Sequence, residues 1–231
     1  MREVDSTNER ARALALAGAP HGTLVTAGAQ TAGRGRAGRA WVSPAGSSVL
    51  ASLVLRRSGE RTALLPLVAA VAVCEACERF ASARCAIKWP NDVWVDGRKV
   101  AGILLEGRPP EGWAVLGIGI NVATAADELP PELRETATSL RAAAMSRELP
   151  AVEPVLAELL RALEARLDED PATIVAAWSA RDALRDRSIR WEAGEGVARG
   201  IAASGALVVE SDAGTRELHA GEVSLVRPAE A

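Results

Sequence analysis

Lys88-Trp89-Pro90-Asn91-Asp92-Val93-Trp94-Val95-Asp96-Gly97-Arg98-Lys99-Val100-Ala101-Gly102-Ile103-Leu104 is the stretch on which the reading of this chain turns. Alternating apolar residues on either side of Asp96-Gly97 predict a β-hairpin, because Asp-Gly supplies the left-handed backbone that a two-residue hairpin turn needs. Pro90 biases Trp89 toward extended backbone and puts Asn91-Asp92 in a turn ahead of the hairpin. Small residues at Ala101 and Gly102 let a flat group or another backbone approach the second strand closely. The chain has 27 basic residues, and only two, Lys88 and Lys99, are lysine; both fall in this stretch. Lysine is a compact point charge and arginine a wide planar fork, so a composition so biased toward arginine keeps lysine where the fork does not fit. The other scarce polar side chains are Asn8, Asn91, Asn121 and a lone glutamine, Gln30.

Outward from the hairpin, the rest of the chain supplies further polar motifs. Asp5-Ser6-Thr7-Asn8-Glu9 opens a helix expected to run to about Ala17, with Gly18 as its stop. Ser6 and Glu9 have capping-box spacing, and the same turn offers hydroxyl and amide groups to a polar ligand. Thr23–Ala27 reads as a strand that delivers Gln30 into Thr31-Ala32-Gly33-Arg34-Gly35-Arg36-Ala37-Gly38-Arg39-Ala40-Trp41. Three glycines and three arginines in the seven residues from Gly33 to Arg39 suit a loop that wraps an anion with backbone N–H groups and guanidinium forks. It lacks the Gly-Lys-Ser/Thr of a P-loop, and as an RNA-binding segment it is a single short copy in an acidic chain.

Ser48–Leu55 is a second strand, 62–82 a long buried helix with Pro66 in its first turn, and Trp113–Ile120 a strand carrying Gly117-Ile118-Gly119-Ile120-Asn121. The two glycines there leave one face bare, as a ligand floor would need. Residues 123–140 are rich in Pro and Glu and read as a loop. Ala151–Leu167 and Pro171–Leu184 are amphipathic helices. From Ser188 onward, short strands every eight to ten residues with Gly, Asp and Ser turns predict a small β-barrel of about 45 residues. Antiparallel strands with helices beside them make an α+β protein. Two domains are expected, residues 1–185 and 186–231.

Composition excludes several classes of function. A net charge of −3 offers no field for wholesale nucleic-acid binding. The polar N-terminus reads as no signal peptide, and the longest apolar run, Ala63–Cys77, is broken by Pro66 and Glu75 and too short to span a bilayer. A cytoplasmic protein is expected. Cys74, Cys77 and Cys85 are an odd number, with only His21 and His219 as further soft ligands. Buried reduced thiols fit better than a zinc site or a disulfide framework.

Taken together and in order, Asp5–Asn8, Gln30–Trp41, Lys88–Asp92, Arg98–Glu106 and Gly117–Asn121 resemble the biotin protein ligases, over nearly the whole chain. The resemblance implies a class II synthetase-like fold, a seven-stranded mixed sheet with helices on one side, and an SH3-like C-terminal barrel. It implies that biotin and MgATP form biotinyl-5′-AMP and pyrophosphate, after which biotin passes to one lysine of a biotin carboxyl-carrier domain of an acetyl-CoA or related carboxylase. ATP and biotin are then substrates, Mg²⁺ the metal, and the protein a monomer or homodimer with neither DNA nor membrane as partner. No helix-turn-helix precedes Asp5, so no repressor role is expected.

On this resemblance Lys99 takes the biotin carboxylate and Lys88 the phosphate, while Arg34 and Arg36 close over the adenylate. Ser6, Thr7, Asn8 and Gln30 face the ureido end of biotin. Gly33, Arg34, Gly35 and Arg36 line its carboxylate end, and Gly102 also binds biotin. Arg39, Trp41, Asn91 and Asn121 fall on the nucleotide side. Asp92 either orients or deprotonates the incoming lysine or helps to hold Mg²⁺. Only four residues precede Asp5, fewer than a full first strand would need, and Arg227 stands one position out of register with a basic residue directed at the nucleotide. Two rival readings share these features: a lipoate or octanoyl ligase or transferase of the same fold, and a non-catalytic module binding biotin, a nucleotide or RNA. The Gly-Arg loop and Trp-Pro-Asn-Asp favour biotin, and the grouping of Lys88, Asp92 and Lys99 favours catalysis over storage.

Overall fold

The computed structural model describes residues 1–56, 62–81, 84–108, 111–143 and 151–226. Its centre is a six-stranded antiparallel sheet of order β2-β4-β8-β7-β6-β5. The strands are β2 (Thr23–Thr26), β4 (Ser48–Leu55), β5 (Ala86–Lys88), β6 (Asp92–Val95), β7 (Arg98–Arg108) and β8 (Trp113–Asn121). The short first strand β1 (Glu3–Val4) pairs in parallel with β3 (Ala29–Gln30) as a two-stranded sheet of its own. The parallel component of the expected mixed sheet is therefore this separate pair, and the main sheet has six strands rather than seven.

Alternation along the two central strands sends their residues to different cores. Val49, Ala51, Leu53 and Leu55 of β4, with Ala114, Leu116, Ile118 and Ile120 of β8, join the main apolar cluster. That cluster includes α2 (Leu65–Glu78), α4 (Val152–Leu167) and α5 (Pro171–Ser179), which cover this face of the sheet. Val54, Trp113 and Val115 point the other way and pack with Ala11 and Ala15 of α1 (Thr7–Leu16). Gly117, Gly119 and Asn121 continue that second face beyond the end of α1, and there the sheet is left open for a site. A fifth, four-residue helix, α3 (Leu140–Ala143), ends the segment after β8.

The hairpin forms as its sequence predicts. Asp96 and Gly97 have φ of 50° and 74°, the paired left-handed residues of a type I′ turn. The strands it joins are not regular: Val93 pairs with Ala101 but Trp94 with Lys99, so β7 carries one extra residue, Val100. Lys99 and Gly102, three apart, would face opposite sides of a regular strand. The bulge brings both to the face that carries Asp92.

The C-terminal strands are β9 (Ser188–Trp191), β10 (Gly194–Ile201), β11 (Leu207–Ser211), β12 (Gly214–Leu218) and β13 (Ser224–Leu225). They form an antiparallel sheet of order β12-β11-β10-β9-β13. Ile189, Ala198, Leu207, Val209 and Val223 are continuous with the main core, and Trp89 Nε1 donates to Gly205 O at 3.1 Å. This sheet thus packs directly behind the Lys88-Asp92 motif. Arg227 lies outside the described residues. Cys74, Cys77 and Cys85 are free and buried, as expected of reduced thiols, and the described residues contain no His/Cys/Asp/Glu group suited to a metal. No helix among them is long and apolar enough to cross a membrane.

Candidate active site

A cavity of about 370 Å³ opens on the free face of the sheet. Every site residue predicted from sequence lines it except Gly33. Gly33 acts one layer out: its carbonyl accepts from Trp41 N at 3.0 Å, and a Cβ there would stand 2.3 Å from Trp41 O. Its role is to let the two limbs of the Gly-Arg loop touch.

Cross-strand pairing assembles the cationic centre. Lys88 lies opposite Asp92, Asp92 opposite Gly102, and Trp94 opposite Lys99. Opposed residues share a face, so both lysines and the carboxylate meet there. Lys99 Nζ is 2.7 Å from Asp92 Oδ1, an ion pair whose angles do not make an aligned hydrogen bond. Lys88 Nζ sits 5.4 Å over the Trp94 ring. Burial pushes the Lys88 ammonium below its ordinary pKa, Asp92 and Glu222 oppose that shift, and Lys99 and Arg39 add to it. Among the described residues, Asp92 is the one acidic residue lining the cavity.

The glycine floor is occupied by the protein's own side chains. A Cβ on Gly119 would meet Trp41 Cε2 at 2.6 Å, and one on Gly117 would meet Asn8 Oδ1 at 2.0 Å. Trp41 therefore lies flat on Gly119 and Gly102, with Lys99 Nζ 5.7 Å from its ring centre. Its Nε1 is buried and makes no hydrogen bond, leaving a donor to spare in the cavity wall. The glycines are needed for close approach, as expected, and Asn8 and Trp41 are what approaches.

At the opposite end, Thr7 N and Oγ1 lie 2.7 and 3.0 Å from Gln30 Oε1. The capping box does not form. Ser6 is the N-cap residue of α1, but its side chain makes no capping bond, and Glu9 pairs instead with Arg34. The Ser6 hydroxyl is thereby left for the cavity. Arg34 also pairs with Glu106 at 2.9 Å. Farther along the loop, Arg36 Nη1 donates to Asn91 Oδ1 at 3.3 Å and Arg39 pairs with Glu222 at 2.7 Å. Asn91 and Asn121 are each tied to backbone, through Ile103 O at 2.9 Å and Thr138 O at 3.0 Å.

Several contributors escape the sequence reading. Leu129, Leu133, Thr136 and Ala137 line the cavity from the segment taken as a plain loop. That segment is held by Lys99 N donating to Thr136 O and Thr138 N to Lys99 O, both at 2.8 Å. The only signal for it was the pair of leucines four residues apart. Glu9, Ser52, Glu106 and Glu222 bind site residues from outside the lining, and only Glu9 and Glu106 fall inside a motif.

The pattern of the biotin/lipoate A/B protein ligase family matches residues 1–122, which hold all of the convergent polar residues except the segment after Val122, and that of the biotin protein ligase C-terminal domain matches residues 189–226. The chain belongs to the biotin/lipoate A/B protein ligase family. Among family relatives, the biotin–[acetyl-CoA-carboxylase] ligase of Paracoccus denitrificans is 41% identical over 241 residues, covering 96% of this chain and 98% of that protein. The bifunctional ligase/repressor BirA of Bacillus spizizenii is 45% identical over 142 residues, 59% of this chain. That alignment spans 44% of the Bacillus protein, under half its length. Among solved structures, the Aquifex aeolicus biotin protein ligase in complex with biotin and ATP superposes with a TM-score of 0.83 at 29% identity, covering 99% of this chain and 97% of that one.

Proposed function

We propose that the chain is an ATP-dependent biotin protein ligase that forms biotinyl-5′-AMP and then biotinylates one lysine of a carboxyl-carrier domain. The observation that carries this reading is the convergence of Lys88, Asp92 and Lys99 with the Gly-Arg loop on one cavity. Names of the full-length relatives supply the substrate class, including a carboxylase as owner of the acceptor.

A carboxylate does not acylate an amine at neutral pH without a leaving group. In the first step a biotin carboxylate oxygen bonds to the α-phosphorus of ATP and pyrophosphate departs. Two anions must be brought together, so cations already in place stabilise the transition state most. Lys99 takes the carboxylate and Lys88 the α-phosphate, with Lys99 exchanging its Asp92 partner for the substrate. Arg34, Gly35 and Arg36 close the loop over the adenylate and keep water from the mixed anhydride. Ser6, Thr7, Asn8 and Gln30 hold the ureido end; Arg39, Trp41, Asn91 and Asn121 lie on the nucleotide side. Mg²⁺ commonly binds through substrate phosphates and one or two carboxylates; Asp92 would be such a carboxylate, and the metal would supply charge neutralisation at the phosphates.

In the second step the acceptor amine, with an ordinary pKa of about 10.4, bonds to the acyl carbon and AMP leaves. Asp92, released from Lys99, is the group to orient that amine or receive its proton. Residues 1–185 would carry both steps, and residues 186–231 would form a C-terminal unit bracing the Gly-Arg loop. Buried thiols suit a reducing cytoplasm.

The test is labelling. Incubated with MgATP, biotin and a biotin carboxyl-carrier domain, the chain is expected to modify a single lysine. Incorporation from lipoate in place of biotin, or none from either, would overturn the proposal.

A further inference from the structure

Glu106 lies outside the cavity, yet it grips residues from two of its walls. Its Oε1 is 2.9 Å from Arg34 Nη2, on the Gly-Arg loop, and its Oε2 accepts from Asn8 Nδ2 at 2.8 Å, at the start of α1. Turning the Asn8 amide over would set its oxygen against a carboxylate oxygen, so Glu106 fixes which way that amide faces. Asn8 Oδ1 then faces Ser52 Oγ at 2.6 Å. Ser52 is fully buried, and its Oγ is also 2.8 Å from Thr7 Oγ1. A serine hydroxyl has one proton. Asn8 Oδ1 only accepts, so that proton goes to Asn8 and none is left for Thr7. Thr7 must spend its own proton on Ser52 Oγ or on Gln30 Oε1, which lies 3.0 Å away. Both of its lone pairs are then free for a ligand N–H.

We propose that Glu106 is a positioning residue that sets the proton direction of the Asn8–Ser52–Thr7 chain and so makes Thr7 an acceptor for an N–H of a cyclic urea. This rests on the biotin reading above and deepens it: the ligand chemistry selected at this end is a ring N–H donor. A carboxylate at the head of a hydrogen-bond chain also polarises every member toward its far end. Through its second oxygen Glu106 ties the same selection to the position of Arg34.

The experiment is calorimetric titration of the full chain with biotin, with ATP titrated separately. Glu106→Gln keeps the shape but offers one oxygen and one NH₂. With the oxygen on Arg34, its NH₂ faces Asn8, the Asn8 amide turns over, and Ser52 donates to Thr7, filling a lone pair. Biotin affinity is expected to fall by up to about 10-fold, as when a neutral hydrogen bond is weakened or lost, with ATP affinity less affected. Exchanging the pair, Asn8→Asp with Glu106→Gln, puts an acceptor back opposite Ser52 and is expected to recover most of the lost biotin affinity. A purely structural role for Glu106 gives no such rescue. Wild-type biotin affinity in Glu106→Gln, or a double variant no better than Glu106→Gln, would overturn the proposal. Should Glu106→Gln fail to fold, Thr7→Val removes the acceptor itself while keeping its shape and leaving Arg34 untouched; unchanged biotin affinity there would overturn it too. Failure of the unsubstituted chain to bind biotin would instead remove the ligase reading, and the proposal with it.

Discussion

Lys99 Nζ stands 2.7 Å from Asp92 Oδ1, although Asp92 is paired across the sheet with Gly102 and Lys99 with Trp94. The one-residue bulge at Val100 makes that meeting geometrically available. The ammonium proposed to take the substrate carboxylate is thereby held by an internal one, which that carboxylate would displace. Both are partly buried, at 30% and 17% exposure, so the pair is less screened than a surface one.

Lys99→Arg keeps the charge and is expected to lose most adenylation. Lys99 Nζ is 3.1 Å from the position of a Cβ on Gly102, beside the Trp41 ring, and a planar fork does not fit that corner. Loss of one preorganised charge-stabilising donor costs on the order of 10²- to 10³-fold in rate. Pyrophosphate release measured with biotin and MgATP checks this; a rate near that of the parent would refute the assignment.

Lys88 yields a pH dependence with a definite sign. Its pKa is lowered in the unliganded protein, chiefly by burial. A bound phosphate favours the ammonium and raises it again. Between the lowered value and the liganded one, binding must take up a proton, so ATP affinity falls as pH rises through that window. Calorimetry in alkaline buffers of different ionisation heats is expected to show net proton uptake, absent in Lys88→Met. Equal apparent heats in the two buffers for the parent protein would contradict it.

Gly117→Ala tests the floor. The new Cβ would stand 2.0 Å from Asn8 Oδ1, and Asn8 is tied to both Ser52 and Glu106, so it has little room to retreat. Overpacking of this kind costs about 1–3 kcal/mol. Thermal unfolding is expected several degrees lower, with weakened biotin binding. A variant with parental Tm and affinity would show that Asn8 moves freely.

Arg34→Gly removes both carboxylate ties of the loop, to Glu9 and to Glu106. The bound adenylate is expected to escape faster into solvent while adenylation is less affected. Following biotinyl-AMP by rapid filtration measures its residence time, and an unchanged half-life would argue against loop closure by Arg34.

Much of this was legible in local sequence because the causes are local. Asp96-Gly97 dictates a type I′ turn through φ alone, and β4 and β8 form where their sequences alternate between two apolar cores. The Gly-Arg loop announces itself because no core accepts three arginines among three glycines. Ser6 shows the limit of such reasoning. Its spacing to Glu9 fits a cap, but Glu9 has a better partner in Arg34, a charge supplied from 25 residues away.

By itself, then, the sequence determined which residue types were on hand: two lysines, the scarce amides, the glycines that admit close approach, and the turn that folds the hairpin back on itself. Only the tertiary structure decided how they meet. The bulge turns Lys99 to the face of Asp92, a register effect that alternation cannot foretell. Ser52, Glu106 and Glu222 reach the site across 44, 98 and 183 residues of chain, and the Leu129–Ala137 segment folds back onto it, since a buried polar group takes whatever partner the fold brings within hydrogen-bond reach. Which way the protons run along Asn8, Ser52 and Thr7 is decided at that level alone, by one carboxylate behind the wall.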